Sequence, residues 1–414
     1  MFNLHLTAEQ IEFRDTVRSF AMNEIRPLAI HPERLESFNK PLFRVLLDKA
    51  SELGLRTLTL SEEFGGVGAD TMTSCIVFEE LAAGDVDIAI MLGQTSLLGD
   101  LLFDHWMEDD QRDTFLPRFI EDETFHFSCA GPIPETSNSW CYHENLPQEP
   151  NAGPIAVREG NEWIIDGSVS YVDNAPIADV FIVMAQTGSE GTGTNGTKGL
   201  LVPRDTPGLT INAVDNVVGK SDINWSHGCG AGVEFNSCKI PLEYQICKDK
   251  IIPVVSEHYS RQMSLQRAAI NLGLGRAAVD AAIEYAKIRR QGGRNIVEHQ
   301  AIGKKIADMA IKLELASTMI WKAAWVADHP EVIADRSVSD LPQHTIANTF
   351  TAEAVHEVTL IAAECFGAMG VMRDMPAQKY VNDGFMFLHS DINDISARLP
   401  IAEKVVNYHR SKAA

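Results

Sequence analysis

The sequence predicts an α+β protein in three parts: an N-terminal α-helical domain over residues 1–125, a middle antiparallel β domain of barrel or sandwich type over 126–248, and a C-terminal four-helix bundle over 249–414. Two observations carry this reading. Apolar residues recur at helical spacing up to about residue 125, alternate at strand spacing as far as about 248, and return to helical spacing beyond it. Glycine, asparagine, serine and proline clusters break the middle segment into short runs, whereas the flanks hold long unbroken ones.

The elements follow in order. Thr7 with Gln10 makes a capping box before Ile11, Val17, Phe20 and Ile25, and a second helix opens at Pro41 and closes at Gly54. The loop LSEEFGGVGAD (60–70) precedes a helical run through FEELAAGDVDIAIML, and a further helix is expected before LPRFIEDE. In the middle, EWIIDG, SVSYV, DVFIVMAQT, KGLLVPR, LTINAV and AGVEFNSCKIP read as strands. The loops 136–154 and 189–197 are turn-rich and expected at the surface; Asn195 stands in a glycosylation-type tripeptide with no signal peptide to make it meaningful. Beyond residue 250, Ile302, Ile306, Met309, Leu313, Ala316, Ile320 and Ala323 mark one apolar helix face, and Ile346, Phe350, Ala354, Val358, Ile361 and Cys365 mark another. Long antiparallel helices imply a bundle. ASTMIWKAAWVAD is apolar on more than one face, which suits burial between subunits as well as within one.

Composition narrows the function classes. At 414 residues, 45% hydrophobic and 22% charged, the chain has the material for a large core. A formal net charge of -22 and a pI near 5.0, with no basic run, argue against nucleic acid or an anionic membrane surface as partner. No charged-then-apolar N-terminal pattern appears and no stretch nears the roughly eighteen uninterrupted apolar residues of a membrane span, so the expectation is a cytoplasmic protein. The seven cysteines contain no C-x-x-C pair, which suits free thiols and no metal site.

Six stretches, LTLSEEFGGVGAD, EELAAGDVDIA, LPRFIEDE, GSVSYVDNAPIADVFIVMA, GLLVPRDTPGLTI and YAKIRRQGGRNIVEHQAIGKKIADM, follow one another as they do in a known family. On these the chain resembles the acyl-CoA dehydrogenase family of flavoproteins over nearly its whole length. The resemblance implies FAD, an acyl-CoA substrate, electron-transfer flavoprotein or another electron acceptor, and a homotetramer or dimer. It also implies a chemistry in which a carboxylate removes the α-proton of the thioester while the β-hydrogen leaves as hydride to the flavin.

Aligning NDGFMFLHSDINDISARLP with the family's C-terminal element, without a gap, places Asp391 where the family usually has its catalytic glutamate. The same residue also reads as a helix cap in the SDIND turn, with His389 and Asp394 as fallback bases. RQMSLQRAAINLG, the other place where family members carry a base, offers Met263 and no carboxylate. For the flavin, Tyr171 stands in the place of a stacking tryptophan and Asp173 in that of a threonine that bonds N5. In AGPIPETSNSW, Gly131 and Ser137 match flavin-contact positions, while Pro132 and Pro134 remove two N–H donors. Arg289 matches an arginine that reaches the FAD pyrophosphate of a neighbouring subunit, and Glu364 and Ala368 fall in a segment that meets that FAD across the dimer. These departures leave three readings open: a dehydrogenase with an aspartate base for a cyclic or branched acyl-CoA, a non-catalytic subunit paired with a paralogue, or a non-redox elimination or hydration on the same fold.

Overall fold

The computed structural model describes residues 5–32, 44–131, 153–187, 196–212, 227–247, 252–389 and 395–407. Helix α1 (Ala8–Phe20) begins as its capping box requires: Gln10 N–H donates to Thr7 Oγ1 at 3.1 Å and Thr7 N–H to Gln10 Oε1 at 3.1 Å. Then come α2 (Arg44–Glu52), α3 (Thr71–Gly84), α4 (Val86–Asp100, continuing through a wide turn to Trp106) and α5 (Asp109–Glu121). Pro41 lies outside the described residues. LPRFIE belongs to α5 instead of following it, with Pro117 inside the helix.

The β domain runs β1 (His126–Ala130), β2 (Ile155–Glu159), β3 (Glu162–Asp173), β4 (Ala178–Thr187), β5 (Thr197–Pro203), β6 (Leu209–Asn212), β7 (Gly230–Pro241) and β8 (Gln245–Ile246). The sheet order is β6-β7-β3-β2-β4-β5-β8, with β1 also on β4. Most pairs are antiparallel as expected, but β1 and β2 both join β4 in parallel. Two expected strands, EWIIDG and SVSYV, are one long β3 in which register shifts at Gly167 and before Val172 break the ladder without ending it. Strand β4 is buried on both faces: Val180, Ile182 and Met184 pack under α4 and α5 with Phe103, Phe119 and Phe127, while Phe181, Val183 and Ala185 fill the core on the other side.

Helices α6 (Ile252–Ile288), α7 (Gln300–Asp328), α8 (Gln343–Phe366) and α9 (Pro376–Leu388) form the bundle, with α10 (Ile395–Val406) after it. The expected α7 face is inside: Met309, Leu313, Ala316, Ile320 and Ala323 are buried, with Ile302 and Ile306 packed against them. On α8, Ala354, Val358 and Cys365 of the expected face are buried and Ile361 packs against the core, while Phe350 is 36% exposed; Ala347, Val355 and Ala362 are buried as well because α8 packs against both α6 and α7. Leu81, Leu272 and Val358 share one core, so the bundle and the N-terminal helices are a single hydrophobic body. Val86–Trp106 and Gln343–Val371 are long and apolar enough to cross a bilayer by composition; the first is 83% buried and serves as a core helix.

Candidate active site

The three parts of the chain meet at the end of β3. Asn174 follows Asp173 in a left-handed turn (φ 61) that its short polar side chain supports by donating to Met91 O on α4 at 2.9 Å, while its N–H donates to Cys229 O at 2.7 Å. A second clip joins α4 to β1, where Thr95 Oγ1 and His126 Nδ1 lie 3.0 Å apart. Ser128 Oγ then ties β1 to β3 by donating to Asp173 O at 2.6 Å. The β3 end is thus held in place from two sides.

Onto that end faces helix α6. Arg267 Nη2 lies 3.7 Å from Asp173 Oδ2, both side chains less than a third exposed. Arg267 stands in RQMSLQRAAINLG, a stretch that offers no carboxylate, and its signal is a cation about four turns into α6. Tyr259 shares this face of α6 and is buried, and burial, then Cys129 and Asp173, push its phenol above the ordinary range against the opposing effect of Arg267. Burial, and then Asp173, push the Cys129 thiol up to about 12, so it is a neutral wall and no nucleophile.

Tyr171 lies across the backbone of Gly230: a Cβ built there would sit 2.2 Å from Tyr171 Cζ, so only glycine lets the ring lie down. Gly131, at the end of β1, has φ +104, and a Cβ on it would come within 2.7 Å of Met184 O. An aromatic plate, a paired arginine and carboxylate, and strand ends free of Cβ atoms suit a flat ring with polar edges. The carboxylate of Asp173, unwelcome beside a ring that gains negative charge, is offset by Arg267.

Tyr171 and Asp173 lie at this seam, and Gly131 lies against Met184 of β4, further along the sheet. Ser137, Asp391 and Asp394 lie outside the described residues. His389, at the end of α9, is exposed and meets Phe385 edge-on at 4.4 Å. Arg289 is exposed at the far end of α6, about 33 Å along the helix from Arg267 at about 1.5 Å per residue. Glu364 and Ala368 share that end, where Tyr285 stacks on Phe366 at 4.6 Å, and Lys305 pairs with Glu364. No hydrogen bond or ion pair among the described residues joins this group to Asp173.

A buried ionic knot fastens α9 to the start of α4. Lys379 Nζ lies 2.6 Å from Asp383 Oδ2 and 3.7 Å from Asp85 Oδ2, and Asp85 also caps α4. Burial works to discharge Lys379, but Asp383, Asp85 and Asp87 outweigh it and hold its pKa above the ordinary lysine value. His227 extends the knot, 3.2 Å from Asp383 O through Nε2 and tilted against Phe387 with ring centroids 4.3 Å apart. The helix that leads into residue 391 therefore has a fixed origin.

Comparison with known proteins accords with this layout. Three family models match in order: "Acyl-CoA dehydrogenase, N-terminal domain" over 7–123, the middle domain over 150–233 and the C-terminal domain over 259–384. A probable acyl-CoA dehydrogenase, YngJ, of Bacillus subtilis is 28% identical, covering 98% of this chain and 100% of its own. Benzylmalonyl-CoA dehydrogenase of Aromatoleum aromaticum is also 28% identical, covering 97% of this chain and 98% of its own. The structure of butyryl-CoA dehydrogenase from Megasphaera elsdenii superposes with a TM-score of 0.81 at 22% identity, covering 98% of this chain and 100% of that one, which shows the shared fold. With all three domain models matched in sequence and the same architecture in space, this chain belongs to the acyl-CoA dehydrogenase family.

Proposed function

We propose that the protein is an FAD-dependent oxidoreductase that removes the α- and β-hydrogens of an acyl-CoA thioester. The observation that carries this is the Asp173–Arg267 pair beside Tyr171, where the middle and C-terminal family domains join. When bound, FAD supplies the acceptor for the β-hydrogen. Tyr171 and Gly131 line its ring, Arg267 balances Asp173, and Cys129 and Tyr259 stay protonated and exclude water. Asp391 takes the α-proton, and the Lys379 knot sets the direction from which its segment arrives. The distant Arg289, Glu364 and Ala368 serve the cofactor of a second copy, since about 22 helical residues separate Arg289 from Arg267. Lys305 neutralises Glu364 and so removes its repulsion toward a pyrophosphate. Electrons leave to electron-transfer flavoprotein or another acceptor.

The test is the visible spectrum of the purified protein and its bleaching by acyl-CoAs without oxygen. About one FAD per chain and thioester-dependent bleaching are expected, with bleaching abolished in Asp391→Asn while FAD content stays the same. A colourless chain that FAD does not reconstitute would sink the proposal, and unaltered bleaching in Asp391→Asn would place the base elsewhere.

A further inference from the structure

Beside the α6 face that meets Asp173 lies a cavity of about 190 Å³ between α3, α4 and α6. This is room for roughly six waters at about 30 Å³ each, or for the end of a short chain. Gln266 borders it, and because successive residues turn by about 100° on a helix, the neighbour of Arg267 points away from Asp173 and into this space.

Its lining is polar for a protein interior: Thr71, Ser74, Asp100, His105, Gln262 and Gln266. Some of these are satisfied, as Thr71 Oγ1 and Gln262 Nε2 are 3.2 Å apart. Gln266 and Ser74 are each only 7% exposed, and no hydrogen bond of the Gln266 amide or the Ser74 hydroxyl is found among the described residues; neither is sealed off, so both present polar atoms to the cavity. The Gln266 amide rests on Gly93, where a Cβ would come within 2.6 Å of Oε1, so the close approach holds it in place without satisfying it. Polar groups that face a cavity in this way are completed by water or by a ligand that carries hydrogen-bonding groups of its own.

The charges around the cavity select what that something is. Asp70, Asp100 and Asp328 line it, and His105, 3.7 Å from Asp100, is the nearest basic group on the lining. Asp328 already accepts from the N–H groups of Thr71 and Met72 at 3.2 and 3.3 Å. Burial, and then Asp104, push Asp100 up to about 8, so it carries a proton near neutrality and adds an O–H donor. A carboxylate entering here would meet the carboxyl groups of Asp70 and Asp328, and a methyl group would offer Gln266 and Ser74 no hydrogen bond.

We infer that this cavity receives the far end of the acyl group and selects one that ends in an uncharged hydrogen-bonding group, such as a hydroxyl or an amide. This rests on the acyl-CoA reading of the neighbouring site. Three thioesters of equal length, ending in hydroxyl, methyl and carboxylate, test it by calorimetric binding and by flavin bleaching. The hydroxyl-terminated thioester should bind at least tenfold more tightly than the methyl one and the carboxylate worst, and Gln266→Leu and Ser74→Ala should each shrink or reverse the hydroxyl preference. A wild-type preference for the methyl end, or a preference unmoved in both variants, overturns the inference. If none of the three bleaches the flavin, the dehydrogenase reading falls, while the ranking of affinities still decides what the cavity selects.

Discussion

At the scale of single residues, the site depends on atoms that are absent as much as on those present. Gly230 carries no side chain, and the Tyr171 ring occupies that space; its nearest atoms are the mobile far end of the phenol, so a larger residue at 230 moves Tyr171 before it breaks the sheet. Gly230→Val is therefore expected to keep its circular dichroism spectrum and lose at least tenfold in FAD affinity, read by titrating FAD into stripped protein. Full FAD binding in a folded Gly230→Val would show that Tyr171 does not line the ring. His126 makes a second residue-scale argument. Burial, and then Arg56, lower its pKa to about 3 from an ordinary 6.5, so as pH falls below about 6.5 the unfolded chain takes up a proton that the folded chain refuses. The stability of the neutral form is present above that range and is lost on acidification toward pH 3. Denaturant melts at pH 7 and pH 5 should show His126→Gln losing about 2 kcal/mol less than the parent over that interval, at about 1.4 kcal/mol per proton per pH unit. Equal losses in the two proteins would mean that His126 is charged when folded.

At the scale of elements, the Lys379 knot makes α9 dependent on α4. Asp383 and Asp85 have fully buried side chains, so Lys379→Met leaves two carboxylates without their cation, at a cost of about 3–5 kcal/mol. The expected result is a large fall in thermal midpoint that Asp383→Asn partly restores in the double variant; no restoration would mean that the loss comes from packing of the lysine stem. Most of the elements that frame this knot were legible in the sequence. Thr7 caps its helix as its capping box with Gln10 requires, and the apolar period of α7 survives intact in the core. What escaped was non-local. HFSCA and IAVRE are five-residue strands whose parallel partner, β4, supplies the evidence for them, and no turn announces such a pairing. The buried surface of α8 is wider than the expected stripe because a helix packed on two neighbours is apolar on two faces. Tyr171 and Asp173 were singled out by position along the chain, whereas Arg267 and Gln266 became visible only when α6 was set against β3 and α4.

At the scale of the whole molecule, the outer bundle surface has a feature that solvent does not explain. Ile311 is 58% and Leu315 53% exposed on α7, and Leu360 is 43% exposed on the adjoining α8. Two ion pairs between these helices, Lys305 with Glu364 and Lys312 with Glu357, are spaced by seven residues on each, so the exposed leucine and isoleucine sit within a rigid antiparallel ladder. An apolar patch on a firm support suits another protein surface better than water. Arg289 and Ala368 lie exposed at the end of this same bundle, far along α6 from the chain's own Asp173. If a second copy covers the patch, assembly and cofactor binding are one event, because each chain's Arg289 end completes its partner's site. Ile311→Glu with Leu315→Glu should then convert the oligomer to monomers in light scattering and release FAD over the same concentration range, with the fold of each chain unchanged by circular dichroism. Monomers that keep their FAD would separate the two, and would assign the patch to a partner that contributes nothing to the flavin site.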